Sequence, residues 1–188
     1  MNEKAKAIHY YSKLIDSDVG LTNESLSAYF YRKGQHEDDL NRLEDSKNSY
    51  NKAIQYTEDP LLKKWGIGYV HEKTQSYTQA INAYQERLKE ENNNPELHFK
   101  IATLIKKLGN IEKAIYHFEK ALELNNVRSP WYYQLALCYE EIENYEKAAI
   151  AYKNAITRQQ THRPNNFRRL AYMLEKIGEK AAALEAYN

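Results

Sequence analysis

Four prolines set the strongest constraint on how this chain can fold. Pro60, Pro95, Pro130 and Pro164 recur at a nearly constant interval. Chance does not space a rare residue evenly, and a period of roughly 34 residues marks a repeat architecture, in which short units bury their apolar faces only by stacking on one another. The chain holds five such units and a fraction. Counted at that period from Ser27, unit starts fall at Ser27, Leu61, Pro95 and Ser129 without a gap.

In this register each column of residues acquires a chemistry. One column reads Ser46, Ala80, Ala114, Ala148, all small. One helical turn on come Tyr50, Tyr84, Phe118, Tyr152, and after a further turn come Ala53, Arg87, Ala121, Ala155. Upstream lie Lys33, Ile67, Ile101, Leu135 and their neighbours Gly34, Gly68, Ala102, Ala136. Apolar residues recurring at i, i+3, i+4 and i+7 fit helices rather than strands. Small residues let two helices approach closely while the aromatics fill the space beside them. The small-to-aromatic step recurs at Ala7–Tyr11 and Ala183–Tyr187, so Tyr11, Tyr50, Tyr84, Tyr152 and Tyr187 are expected in the core.

At these residues the chain resembles the tetratricopeptide repeat family. Repeat 129–162 carries the pattern best, in Tyr132, Leu135, Ala136, Tyr139, Ala148, Tyr152 and Ala155, and repeat 95–128 follows through Ile101, Ala102, Ile105, Ala114, Phe118 and Ala121. Repeat 61–94 keeps Gly68, Ala80 and Tyr84 but places His71 and Arg87 in usually apolar or small columns. Repeat 27–60 departs furthest: Lys33 and Glu37 stand in core columns, so its first helix is expected to be shifted or poorly packed. The resemblance implies an all-α fold, a right-handed superhelical solenoid of antiparallel helix pairs. It is read as one domain over 1–188, with a partial repeat at 1–26 and a truncated one at 163–188. Helices are expected near 3–17, 23–37, 41–57, 61–74, 77–91, 95–108, 111–124, 129–142, 145–160, 165–177 and 180–188. The prolines suit first helical turns, where the N–H they lack is unpaired anyway. Gly109 and Gly178 fit left-handed turns at helix ends, and the asparagines at 92–94 and 125–126 are turn material.

The resemblance also implies that the first helix of each pair lines the concave side. Its groove columns read Tyr31, Trp65, Phe99, Tyr133 and then Gln35, Tyr69, Thr103, Leu137, with Tyr172 after a slip of one position. Tyr31, Trp65, Tyr69, Phe99, Tyr133 and Tyr172 are therefore the candidate partner-binding residues, since Tyr and Trp offer rigid contact area with a polar handle. The family's carboxylate-clamping groove uses Lys and Asn in these columns, which disfavours a chaperone-tail ligand here. Arg158, Arg163, Arg168 and Arg169, with His162, form a second candidate, an anion or anionic-polymer site, because guanidinium pairs bidentately with carboxylate and phosphate. The run Glu37-Asp38-Asp39 reads as solvated helix surface.

Composition narrows the functions. Lys and Arg number 27 against 26 Asp and Glu, so a net charge of +1 gives no field to attract nucleic acid. A mean hydropathy of −0.85 and the lack of an apolar run of about 18 residues argue against a membrane span. The polar start is not a signal peptide; with one cysteine, Cys138, this points to a reducing, cytoplasmic setting. Aromatic content of 12% excludes disorder. The six histidines show no zinc spacing, and no nucleophile elbow, phosphate loop or dinucleotide fingerprint occurs. No cofactor, metal or catalytic residue is expected, and Cys138 reads as a small core residue.

The first functional expectation is a non-catalytic scaffold that binds a protein or peptide, with a homo-oligomer also open. The second is the N-terminal substrate-positioning or oligomerisation region of a larger enzyme, since Ala182, Ala183, Leu184 and Tyr187 supply no polar cap for the last seam. The abundance of Lys, Asn and Tyr hints at an AT-rich bacterial genome. The stretch from Phe167 to Lys176 loosely resembles repeats fused to bacterial surface-polysaccharide transferases, which supplies one such enzyme.

Overall fold

The computed structural model describes residues 3–17, 20–158 and 164–187. These form eleven helices and no strand, grouped in two compact units, Met1–Glu90 and Glu91–Asn188. The first unit holds α1 (Glu3–Ser17), α2 (Asn23–Asp39), α3 (Leu43–Tyr56), α4 (Pro60–Lys73) and α5 (Tyr77–Leu88). The second holds α6 (Pro95–Lys107), α7 (Ile111–Leu124), α8 (Ser129–Glu141), α9 (Tyr145–Thr157), α10 (Pro164–Lys176) and α11 (Lys180–Tyr187). Within each unit every helix packs on its neighbour in the chain. The expected helices are all present, displaced only slightly at their ends.

Local chemistry fixes those ends. Pro60, Pro95 and Pro164 open α4, α6 and α10, and Pro130 is the second residue of α8. Asp59 and Asn94 cap α4 and α6 with side-chain oxygens, Asp59 accepting from Leu61 N at 2.8 Å and Asn94 from Leu97 N at 3.1 Å. Asn110 and Asn144 do the same for α7 and α9. Gly109 and Gly178 adopt the expected left-handed conformation, with φ of 79° and 85°. The same turn also falls on Asn41, Gln75 and Glu143, which share one register position with Gly109. At each site the next residue's N–H reaches back to a carbonyl in the last turn of the preceding helix, as in Arg42 to Glu37 at 2.8 Å and Asn144 to Tyr139 at 2.9 Å. That bond holds the turn where the side chain disfavours it, and composition therefore gave no sign of three of these five turns.

The core follows the columns. Ser46, Ala80, Ala114 and Ala148 are fully buried, as are Tyr84, Phe118 and Tyr152, with Tyr50 at 1% exposure. Two of these aromatics press on glycines of the preceding helix. A Cβ on Gly34 would lie 2.9 Å from the Tyr50 ring, and one on Gly68 2.6 Å from the Tyr84 ring. Close approach, not turn geometry, is what these two glycines provide. Tyr187 departs from its expected core place and is 49% exposed, because among the described residues no helix follows α11 to cover it. Tyr11 is half-buried, stacked 6.1 Å from His36.

Repeat 27–60 is neither shifted nor loose. Lys33 pairs with Glu37 at 2.9 Å one turn along α2, and Ser49 of α3 donates to Glu37 at 2.7 Å. Glu37 is 2% exposed, so the charges in the apolar columns neutralise each other and bridge the two helices. The acidic run is correspondingly not a solvated face. Only Asp39 is exposed, pairing with Lys4, whereas Asp38 bonds Lys73 at 2.8 Å, Ser46 at 3.1 Å and the Tyr69 hydroxyl. Removing one partner of such an enclosed pair strands a charge, at a cost of about 3–5 kcal/mol.

Candidate functional site

In the first unit, α2 and α4 bring Tyr31, Trp65 and Tyr69 into one aromatic face. One register step sets Tyr31 beside Trp65, ring centroids 5.4 Å apart and edge-on, and one helical turn stacks Trp65 on Tyr69 at 5.0 Å and 12°. Beneath them Tyr50 meets Tyr31 at 5.7 Å and Tyr69 at 4.6 Å. All three face residues are half-buried, so each ring is partly spent on packing and partly presented. Burial raises the Tyr31 phenol. Burial also works to raise Asp38, but the hydrogen bonds from Lys73 and Tyr69 outweigh it and hold the carboxyl below the usual range. The carboxylate is thus ionised and neutralised by Lys73 beside the aromatic face.

In the second unit, α6 and α8 present Phe99 and Tyr133. Phe99 stacks on Trp131 at 4.9 Å and 14° and tilts against Phe118 at 5.4 Å. Tyr133 lies edge-on to Tyr152 at 5.8 Å and accepts a hydrogen bond from Asn165 of α10 at 3.3 Å. Tyr172, further along α10, is 44% exposed. Trp131, which the column pattern did not mark out, is buried and carries Arg128 over its ring at 5.5 Å.

Two of the four arginines, Arg158 and Arg169, are engaged within the fold. Arg158 donates to the Asn126 carbonyl and to Asn154, both at 2.6 Å, and lies over Tyr132 at 4.7 Å. It pins the end of α9 to the loop before α8. Arg169 pairs with Glu140 at 2.7 Å, and Glu140 also accepts from Tyr152 at 2.5 Å, tying α10 to α8 and α9. Arg168 is exposed. Arg163 and His162 lie outside the described residues.

The sequence model of the tetratricopeptide repeat matches residues 27–60, 95–127 and 131–162, more than half of the chain. The chain belongs to the tetratricopeptide repeat family. Solved tetratricopeptide structures are similar over most of its length. A crystal structure of MamA covers 86% of this chain and 88% of its own at 16% identity, TM-score 0.69. The 41-to-end piece of MamA from Desulfovibrio magneticus RS-1 covers 86% and 91% at 15% identity, TM-score 0.70. YrrB, described as a TPR protein with an unusual peptide-binding site, covers 94% and 88% at 18% identity, TM-score 0.64. At these identities the likeness establishes the tetratricopeptide fold. No curated protein matches the sequence. Repeat 27–60 matches despite its charged core columns, whereas 61–94, which bears His71 and Arg87, does not.

Two further groups complete the chemistry of this tetratricopeptide chain. His98 of α6 and His117 of α7 face each other with Nδ1 atoms 3.0 Å apart and ring centroids 5.3 Å apart. The difference is about two ring radii, so the nitrogens meet head-on and share a proton in a hydrogen bond. Burial lowers both imidazoles, and His117, with His98 beside it, falls to about 4. Both are neutral at pH 7. Their places in the chain fit no motif spacing, so the sequence did not announce the pair. Cys138 is fully buried, and burial pushes its thiol up to about 11, the reverse of a reactive cysteine. Among the described residues no three metal-ligating side chains converge, and no helix is long and apolar enough to cross a membrane.

Proposed function

We propose that this tetratricopeptide protein is a non-catalytic interaction scaffold. Each unit offers a partner segment the aromatic face of its first-of-pair helices: Tyr31, Trp65 and Tyr69 in one, Phe99, Tyr133 and Tyr172 in the other. The observation that carries the reading is the partly open state of these rings. Tyr50, Phe118 and Tyr152, the core aromatics that Tyr31, Phe99 and Tyr133 touch, are enclosed, yet the face aromatics themselves keep surface open to solvent. Rigid aromatic surface of this kind concentrates binding energy, because few rotamers are lost on contact.

Site-specific photo-crosslinking in cells tests it. A photoreactive residue at Tyr31 or Tyr133 should give a discrete adduct, whereas one at Tyr116, exposed on a second helix at 55%, should not. Adducts of equal yield from both sets of positions would remove the aromatic faces from consideration. Trp65→Ala with Phe99→Ala should abolish the adduct while far-UV circular dichroism stays helical.

A further inference from the structure

We infer that a groove in the second unit, floored by α10 and walled by α9 and α11, docks an amphipathic helix of a partner that carries Lys or Arg at one end of its apolar stripe. The inference goes beyond the scaffold reading, because the groove uses none of the aromatic-face residues.

The groove is open because the side chains that close its counterpart one repeat earlier are replaced. On α8, Tyr139 donates to Glu119 of α7, and Lys147 Nζ of α9 lies 5.3 Å from the centre of its ring. Tyr139 is accordingly buried, 6% exposed. At the same register positions, allowing for the slip before α10, stand Leu174, Lys153 and Ala182. Leucine and alanine can make neither contact, and a groove of about 520 Å³ remains. Its floor, formed by Phe167, Leu170, Leu174 and Ile177, is only half-buried. Ile150 on the α9 wall is 62% exposed. A continuous apolar surface of this kind, rimmed by charge, marks a docking site.

The lining decides the form of the occupant. Apart from four charged side chains it is all hydrocarbon, and the backbone groups of its walls are spent inside their own helices. An extended segment would bring unpaired N–H and C=O groups onto this surface, a cost that nothing here offsets. A helix satisfies its own backbone. Ala149, Ala182 and Ala186 on the walls let a helix backbone come close. Along α9 the lining runs from Glu146 to Ile156, about three turns or 15 Å, which matches apolar anchors at i, i+3 or i+4, and i+7.

The rim sets the sign of the charge. Because α9 and α11 both run antiparallel to α10, they start at the same end of the groove. Glu146 stands there in the first turn of α9, and Glu179 directly precedes α11. Further along lie Glu185 on α11 and Lys153 on α9, the one cation of the lining. None of the three glutamates has an ion pair or a side-chain hydrogen bond among the described residues. The first end is therefore doubly negative and the second balanced. A helix with Lys or Arg at one end of its apolar stripe complements that pattern, and an acidic helix is repelled by it.

The test is subtractive selection of displayed random peptides of about sixteen residues, long enough for four helical turns. Peptides are depleted on the full chain carrying Lys153→Glu, Leu174→Tyr and Ala182→Lys, which restores the residue set of Glu119, Tyr139 and Lys147, and the remainder are captured on wild type. Far-UV circular dichroism checks that the triple variant is folded. Survivors are titrated by fluorescence anisotropy against wild type, Glu146→Gln with Glu179→Gln, and Trp65→Ala with Phe99→Ala. The expected survivors carry apolar residues at i, i+4 and i+7 with Lys or Arg at one end, and gain helical circular dichroism on binding. The paired glutamine variant, which leaves the apolar lining intact, should weaken them about threefold, and less at high salt; the aromatic-face variant should bind them as wild type does. Survivors that are acidic, or that bind without becoming helical, would overturn the inference, as would no enrichment. Survivors that depend on Trp65 and Phe99 but not on Glu146 and Glu179 would also overturn it, while supporting the scaffold reading. A wild-type dimer in sedimentation that the triple variant returns to monomer would assign the groove to a second copy instead.

Discussion

Gly68→Ala should destabilise the protein even though it replaces a poor helix former with the best one. In an exposed helix interior the change stabilises by about 1 kcal/mol. Here the new Cβ would sit 2.6 Å, 2.7 Å and 3.0 Å from Cε1, Cδ1 and Cζ of Tyr84, well inside the ~3.5–4.0 Å optimum for carbon atoms. To restore that spacing the ring must move by about 0.9–1.4 Å, and it has nowhere to go. Tyr84 is fully buried and its hydroxyl is held by Glu72 at 3.0 Å. Overpacking of this kind costs about 1–3 kcal/mol, and the upper half of that range applies to a ring pinned at both ends, so the net loss is about 1–2 kcal/mol. At roughly 2–4 °C per kcal/mol for a chain of this size, Tm should fall by about 2–8 °C. Gly34→Ala is the internal control. Its Cβ would lie 2.9–3.1 Å from the Tyr50 ring, a smaller intrusion against a ring whose hydroxyl is not tethered, so gain and loss nearly cancel. Because stacked repeats need not unfold in one step, the urea midpoint from circular dichroism is the quantity to compare. A Gly68→Ala midpoint equal to or above wild type, or one less affected than Gly34→Ala, would refute the reasoning.

Two other outcomes follow from the buried titratable groups. Since the imidazoles of His98 and His117 are lowered in the folded state, their contribution to stability is complete above the unfolded value of about 6.5 and is lost as pH falls from there toward 4. Allowing for partial solvent access, His117 accounts for about 1–2 kcal/mol over that window; His117→Ala, which matches Ala83 and Ala151 at the same register position, should flatten the stability–pH slope measured by urea titration between pH 4 and 7. Cys138 should resist iodoacetamide at pH 8 in native buffer and react fully in denaturant, as read by intact-mass spectrometry, and rapid native labelling would contradict its burial.

The periodic features of this protein belong to the sequence. The regular recurrence of small and aromatic residues fixes the helices and their pairing, because each helix buries a face only against neighbours that repeat the same pattern. The prolines reveal helix starts, since proline is tolerated in the first turn and disfavoured within. What failed to show was whatever depends on a partner outside the period. Lys33 and Glu37 look like defects in a core column until Ser49 on the adjoining helix is seen to close the pair. Asn41, Gln75 and Glu143 turn left-handed because a backbone bond from the next residue holds them, which no side chain announces. Arg158 and Arg169 stand close together in the sequence, whereas the partners that engage them, Asn126, Asn154 and Glu140, are brought to them by the fold. Trp65 stands in the sequence as a register position; its edge-on contact with Tyr31 exists only once α2 and α4 are packed. Periodicity is a one-dimensional property that the chain carries with it, whereas the state of a charge or a donor is set by which atoms lie within about 3 Å, and that is decided by tertiary structure alone.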